Sequence, residues 1–571
     1  MRRALLAILG CTTLAVSGCT GIPSSSDPQV ITTLGGPAPS ESLSITPQPG
    51  ADPRTIVSDF LIASATDDLH HAAARSFLTA EALHRWSDTT VTIVDSTQVS
   101  NFNNGSVVVT GRRMGSLDAD GIYSPVLQGD GSGGVRVPFT FGMKKVNGQW
   151  RIDNLQNGII IGYTDFQRVY QQRQIYFFDL AEKHLVADPR YTTLTDNALL
   201  ANWLISQMAS GPRAELQSAV RSELPAQTDP TKVTAVLGTP TQVQLPGAAL
   251  LDPATRNRLA AQIAFTLSPV ATELSIVDAG RPVSIEQVGS TTFTSAAFAA
   301  TINPPHQSPS VYYLNNGHIL DGDGDAMTGR ANGQYDLTSV AISSSGSQDL
   351  RIAGTAGVGS ALRLYVGTQQ NGLAPTAVRG LLTRPAWAPN LDEVWVGNGS
   401  SVYRVGLNGA ATQVPFSGNG GGPLGRVRAL RFSPEGTRIA MVLGTDGSSQ
   451  VWIGSVVRSA DNRDVTIDSL EPISPQAIDI ADVAWNGQLK LFAIGHNVST
   501  SEASVYETQV DGSLWTPRGI GNLPGAPESI TIAENEVAWV STGQTVWAQR
   551  AGSWASPKPG TTTGSNPVYL E

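Results

Sequence analysis

A motif of short apolar strands returning about every 44 to 53 residues, helix signals confined to the first half, and a cysteine closing a short apolar leader predict a multidomain chain. The predicted order is a lipoprotein signal and tether, two small α+β domains, and an all-β propeller of five or six blades. At 571 residues the chain is too long for one core, and its length favours three or so domains. With 40% hydrophobic and 15% charged residues it reads as folded and moderately polar.

The leader starts with Arg2 and Arg3, continues through an apolar run of about a dozen residues from Ala4 to Val16, and ends in Val16-Ser17-Gly18-Cys19. So short a run is a signal-peptide core, since a membrane span needs about twenty apolar residues. Cleavage before Cys19 and acylation of its thiol are therefore expected, with 1–18 removed and the remainder exported and held at the outer face of a membrane. An ordinary secretory signal with an incidental cysteine is the alternative; it does not account for the order of apolar run, small residues and cysteine. Cys11 leaves with the leader and Cys19 carries lipid, so the mature chain is expected to have no disulfide, thiol nucleophile or cysteine metal site. Pro, Ser, Thr and Gly dominate 19–50, the composition of a tether. No later stretch has the length of a membrane helix, which leaves the lipid as sole anchor. The formal net charge is −10, or −12 without Arg2 and Arg3, and long Lys or Arg runs are missing. That balance argues against nucleic acid as a partner and equally against anionic lipid bound through the protein surface.

The first α+β domain, 51–160, opens at Asp52-Pro53, a cap followed by a first-turn proline. Ile56, Val57, Phe60 and Leu61, then Ala72 to Phe77, then Leu83 and Trp86 recur at helical intervals. Strand signals follow at 91–94, 106–109, 135–141 and 149–152, the last two joined across Asn147-Gly148, a hairpin turn signal. In the second domain, 161–290, segments 174–179 and 184–186 read as a hairpin and 197–208 as a helix stopped by Gly211-Pro212. Strands at 233–237 and 241–245, a helix at 256–267 and a further hairpin at 273–277 and 281–283 complete it.

From about Thr291 helix signals vanish, and a three-strand motif repeats through 291–571. Its first strand recurs at Val340-Ala-Ile342, Ala386-Trp387, Leu430-Arg-Phe432, Val483-Ala-Trp485 and Ile530-Thr-Ile532. The second falls at 350–353, 394–396, 438–442, 491–494 and 537–540. The third sets an aliphatic beside an aromatic residue: Leu364-Tyr365, Val402-Tyr403, Val451-Trp452, Val505-Tyr506 and Val546-Trp547. Val311-Tyr312 reads as a sixth copy of that third strand, in a degenerate blade over 291–322. A propeller explains the period, and a ring leaves only short edges, so it is stable without disulfides. The rival is an all-β sandwich, but sandwiches do not ordinarily repeat one three-strand motif at this spacing.

Chemistry-bearing motifs are few. Asp321-Gly-Asp-Gly-Asp325 is the most metal-like run; yet Asn332 stands where an EF-hand loop needs its bidentate acid, and Gly324 falls two positions early, so an acidic turn is expected. His70, His71 and His84 lack the His-Glu-x-x-His spacing, and His184, His306, His318 and His496 are isolated. Gly420-Gly-Gly422 lacks the helix and lysine of a phosphate loop, and no serine sits in a nucleophile elbow. Asp67-Asp68 and Asp479 with Asp482 are scattered acids, whose spatial separation and any glycosidase-like pairing stay open at this level. The expectation is a non-enzyme without metal or cofactor, whose one named site is the lipidation site Cys19. Trp387, Trp395, Trp452, Trp485, Trp539 and Trp547 are expected mostly to pack between blades, one or two serving a partner or sugar.

Three groups of residues carry a family resemblance: Pro53 to Trp86; Ile175-Tyr-Phe-Phe-Asp179 with Leu185-Val-Ala-Asp-Pro-Arg-Tyr191; and Gly211-Pro212 followed by Ala219-Val-Arg-Ser-Glu-Leu-Pro225. Together with the order of leader, tether, α+β units and propeller, they make nearly the whole chain resemble the LpqB lipoproteins of actinobacteria. The resemblance implies that the second domain is a GerMN domain, a module also seen in spore-germination lipoproteins and suspected of touching cell-wall material. It further implies association with the extracellular part of the sensor histidine kinase MtrB, which works with the response regulator MtrA, and hence an influence on cell-wall homeostasis and division. It supplies no catalytic residues. The expected function is that of an accessory lipoprotein binding the MtrB ectodomain; the alternative is a protein that binds or processes peptidoglycan or another cell-wall glycan.

Overall fold

Asp52 begins the first layer as a helix cap. Its Oδ1 accepts the N–H groups of Arg54 at 2.9 Å and Thr55 at 3.2 Å, and Pro53, with no N–H to leave unpaired, takes the first helical position. The computed structural model describes residues 45–66, 71–128, 134–302, 309–344, 349–418, 424–557 and 563–571, and these described residues form one compact unit. The helix Pro53–Ser64 buries Ile56, Val57, Phe60 and Ala63. It covers a sheet ordered Gln149–Asn154, Val135–Val146, Ser106–Leu117, Val91–Val99 and Ile159–Gly162, with Tyr123–Pro125 beside Ser106–Leu117. The first four are antiparallel neighbours, whereas Ile159–Gly162 joins in parallel with Ile159 opposite Val91. Asn147 and Gly148 turn the predicted hairpin with φ of 51° and 78°, as a two-residue primed turn requires. In the middle of this core Phe60 meets Trp86 and Phe141 edge-on, each at 5.8 Å between ring centres.

The second unit packs two small sheets on helices that include Asn197–Ser210 and Pro253–Leu267. Gln171–Asp179 and Leu185–Thr192 form the expected hairpin, extended by Val220–Arg221. Asp196 caps the helix Asn197–Ser210, and Gly211, at φ 95°, ends it. Thr241–Gln244 crosses through the helix Pro253–Leu267 to a parallel partner, Leu274–Asp278. That helix begins before residue 256 because Asp252 caps it, accepting the Thr255 N–H at 3.1 Å, with Pro253 in the first turn: the Asp52-Pro53 device again.

Both domain boundaries move relative to the sequence pattern. Ile159–Gly162 straddles residue 160, and the next helix, Tyr163–Val169, buries Phe166 in the first core. The pattern misplaces this limit because the strand is defined by its pairing with distant Val91–Val99. The second unit likewise passes residue 290. Phe293, Phe298 and Ile302 lie in its core, and Leu274 and Phe293 exchange backbone hydrogen bonds of 2.9 Å. Ala296–Ile302 is a helix where helix signals were expected to be gone; only Phe298 and Ile302 of its seven residues are buried, too few to mark a period. The degenerate blade therefore does not start at 291.

From Val311 onward six sheets follow among the described residues. Their innermost strands are Ser565–Tyr569, Leu337–Ser343, Ala386–Trp387, Arg426–Phe432, Ile478–Asn486 and Ser529–Thr531. Each packs on the next in that order, and Ser529–Thr531 packs back on Ser565–Tyr569, so the ring is closed. The first sheet takes its inner strand from the far end of the chain: Ser565–Tyr569 pairs with Val311–Asn315, Val311 opposite Tyr569, and His318–Asp321 lies outside. Val311-Tyr312 is consequently in a second strand and is not a copy of the third. An aliphatic–aromatic pair marks a strand flanked on both sides, which second and third strands both are. In the ring Trp387 Nε1 donates to Ala341 O at 3.1 Å and Trp485 Nε1 to Arg431 O at 3.0 Å, each reaching the preceding inner strand. Trp395 and Trp539 are buried as well. Among the described residues no helix is long and apolar enough to cross a membrane.

Candidate functional site at the junction of ring and α+β units

The strand Leu185–Thr192 is buried along its whole length although it carries Asp188 and Arg190. Within its own sheet it is an edge, with Gln171–Asp179 as its only partner strand among the described residues. An unpaired edge has backbone groups to satisfy, and here the ring supplies the partners. Ala187 N–H donates to Gln488 Oε1 at 2.9 Å, Gln488 Nε2 returns a bond to Leu185 O at 3.0 Å, and the Arg438 guanidinium donates to Ala187 O. Further along, the Tyr191 hydroxyl bonds Ser513 Oγ at 2.6 Å, and Tyr191 N–H donates to Gly121 O of the first domain at 2.8 Å. One strand thus touches all three folded parts.

Charges are buried beneath it. Asp188, 0% exposed, accepts from Arg190 at 2.8 Å through one oxygen and from the Arg213 N–H at 2.9 Å through the other. Arg438, 3% exposed, donates to Glu435 at 3.2 Å. Burial pushes the carboxyls of Asp188 and Glu435 up, offset in part by Arg190 and Arg213 for the first and Arg438 for the second. Burial also draws the Arg438 guanidinium down. Burial opposes the charge of Arg213 too, but Glu215 and Asp188 outweigh it and hold that guanidinium above its ordinary range. Glu215 is penalised by burial yet held down at about 2 by Arg213, which grips it through two N–H groups at 2.9 and 3.2 Å. Such a network is costly to desolvate and, once complete, strongly favours one arrangement.

A cavity of about 430 Å³ opens at this junction, lined by Tyr123 and Leu127 of the first domain, Arg213 and Glu215 of the second, and Trp452 and Asp511 of the ring. A cleft of about 570 Å³ lies between the second unit and the ring, with Glu182, His184, Asn257, Gln287, Thr301 and Asn390 among its walls. At the ring axis Asp482 joins Arg384 at 3.1 Å and Arg431 at 2.9 Å, and Glu571 accepts the Trp387 N–H at 2.6 Å. Glu571 is exposed as a residue, but its carboxyl sits against Trp387, Arg431 and Arg384; burial there pushes it up to about 7 against the pull of the Trp387 N–H, Arg431 and Arg384.

Cys19 lies outside the described residues, as do Asp67, Asp68, His70, His306 and Gly420 to Gly422. Asp321 Oδ1 accepts the N–H groups of Asp323 at 3.0 Å and Asp325 at 2.9 Å, so that run is a self-capped turn. Asp479 and Asp482 go to different tasks: the first accepts the N–H groups of Gly447 at 3.2 Å and Ser449 at 2.8 Å, the second holds the axial arginines. Sequence reasoning passed over Asp188, Arg213 and Arg438 because they meet only in the fold: Asp188 accepts from Arg213 across 25 residues, and Arg438 reaches Ala187 O from the ring, 251 residues away. The available signal was Asp-Pro-Arg inside the otherwise apolar segment Leu185-Val-Ala-Asp-Pro-Arg-Tyr191.

The family profile for the lipoprotein LpqB N-terminal domain matches residues 46–167, and that for the lipoprotein LpqB beta-propeller domain matches 321–569. Lipoprotein LpqB of Mycolicibacterium smegmatis is 30% identical over 494 residues, 81% of either chain. The chain belongs to the LpqB lipoprotein family. Lipoprotein LpqB of Mycobacterium tuberculosis is 29% identical over 582 aligned positions, 92% of this chain and 96% of its own, and that of Rhodococcus jostii 28% over 467, 76% of either. The LpqB N-terminal match ends inside the helix Tyr163–Val169, in keeping with the longer first domain, and the LpqB propeller match includes the closing strand Ser565–Tyr569.

Proposed function

We propose that this LpqB protein is a non-enzymatic accessory lipoprotein, acylated at Cys19 and held at the extracytoplasmic face of the cell membrane, that binds the ectodomain of the sensor kinase MtrB. Through that contact it modulates MtrA/MtrB signalling and with it cell-wall homeostasis and division. The observation that carries the reading is the junction, where one buried strand and its charge network join three folded parts into a body suited to presenting a fixed surface. Acylation adds the second support, since confinement to the plane of an ectodomain raises the effective concentration and lets a weak contact matter. Crosslinking in intact membranes followed by mass spectrometry tests it: capture of the MtrB ectodomain is expected, and a Cys19→Ala chain that is secreted yet signals normally contradicts the account.

The second reading, a peptidoglycan or glycan binder, is favoured by the 570 Å³ cleft, whose walls carry the amides of Asn257, Gln287 and Asn390 and the Thr301 hydroxyl. It requires binding to purified peptidoglycan that falls in a Gln287→Ala, Asn390→Ala chain; release of soluble fragments moves the protein into the enzyme class.

A further inference from the structure

The acidic total conceals a basic region. At the hairpin end of strand Val135–Val146 the segment Lys144 to Arg151 carries Lys144, Lys145 and Arg151 and no acid, while Arg112, Arg113 and Arg136 lie at the far end of the paired strands Ser106–Leu117 and Val135–Val146, Arg112 bound to Asp95. At the end where the strand Val135–Val146 turns, Lys145 lies over the Trp150 ring at 5.1 Å and Phe102 packs on the same indole at 5.1 Å. The tip leaves Val146 41% and Phe102 39% exposed. Lys144, its side chain 54% exposed, is shared between Glu81 at 3.5 Å and Asp153 at 3.8 Å. Aromatic and aliphatic groups flanked by lysine stems suit the headgroup level of a bilayer, with ring and stem in the apolar layer and ammonium in water.

The place of this tip in the chain is the second observation. Gly50 N–H donates to Gln149 Oε1 at 2.6 Å, so the first described stretch, which packs Ile45 against the first core, passes this hairpin at Gly50, about thirty residues after Cys19. We infer that the tip formed by Phe102, Lys144, Lys145, Val146 and Trp150 docks on the anionic headgroups of the membrane that holds the Cys19 lipid. The inference rests on the acylation reading above. The tip adds a protein contact to the lipid anchor, orienting the folded body on the surface that holds it. The net charge of −12 left after loss of Arg2 and Arg3 opposes lipid contact only as an average, since charges more than about 8 Å from the bilayer are screened at physiological salt and the tip is what faces it.

The test uses the chain from Thr20 to Glu571, which keeps every described residue and needs no acylation; palmitate labelling of the whole protein scores the Cys19 reading separately. That chain has no cysteine, so Val146→Cys carries an environment-sensitive fluorophore at the tip, and Val358→Cys, 85% exposed on the ring, carries it in the control. The probe membrane is a vesicle of seven parts phosphatidylcholine to three parts phosphatidylglycerol. Brighter, blue-shifted emission is expected at 146 and not at 358, lost in 0.5 M salt, with partitioning about fivefold weaker in Lys145→Gln. A thermal melt confirms that exchange of this exposed lysine leaves the fold intact. No response at 146, an equal response at 358, or a Lys145→Gln chain that partitions like the parent overturns the inference. Capture of the tip by an acidic protein without any vesicle response does the same.

Discussion

Arg438 reaches from the ring to the backbone of the second unit while it holds Glu435. Removing one member of a buried ion pair leaves the other charge uncompensated and costs about 3–5 kcal/mol. Arg438→Ala is therefore expected to lower the melting temperature and to make the segment joining second unit and ring cleavable in limited proteolysis; an unchanged melt removes the residue from the junction account. Glu571 acts through its proton. The carboxyl titrates at about 7 in the folded ring against an ordinary 4.5, so between those values the folded state holds more protons than the unfolded one. Stability from this group is present below pH 4.5 and is lost as the pH rises through 7. Glu571→Gln imitates the protonated form: its melting temperature should equal the parent's near pH 4 and exceed it above pH 7, and two parallel curves would refute the axial assignment.

Single elements divide into those with local causes and those without. Asp52→Ala deletes a cap and is expected to cost about 1 kcal/mol, seen as a small drop in melting temperature. Asn147-Gly148, Asp52-Pro53 and the stop at Gly211-Pro212 were legible because a turn or cap is specified within four or five residues. The strand Ser565–Tyr569 was not, because its partner Val311–Asn315 lies at the other end of the ring. Helix Ala296–Ile302 and Phe166 joined neighbouring cores for the same reason: each is placed by distant contacts, not by its own pattern. Ending the chain before Ser565 strips the first sheet of its inner strand and bares a paired edge. Size-exclusion chromatography should then show oligomers or aggregate where the full chain runs as one species.

For the whole molecule, the buried junction means that the three folded parts are not independent modules. The repeat period and the switch from helix to strand texture made the architecture legible at this scale, while the way the parts dock was hidden, its single sequence trace being charges in the strand Leu185–Thr192. A chain cut near residue 310, keeping both α+β units, bares the edge that Gln488 and Arg438 cover. It is expected to be poorly soluble and to bind apolar dyes, whereas a stable, soluble fragment would show that the ring is dispensable for that strand. Partner mapping by point substitution at exposed positions avoids the confusion that deletion of the ring would bring.

The closing strand also sets a schedule. Val311–Asn315 is made about 250 residues before Ser565–Tyr569, and at roughly 5–20 residues per second its partner is about 13–50 s away. Through that interval the growing ring is a row of sheets with a free edge at its start, able to pair with another unfinished chain. Whatever handles the emerging polypeptide must keep such chains apart until Ser565–Tyr569 arrives, and a chain that loses this strand is open and adhesive, not merely shorter.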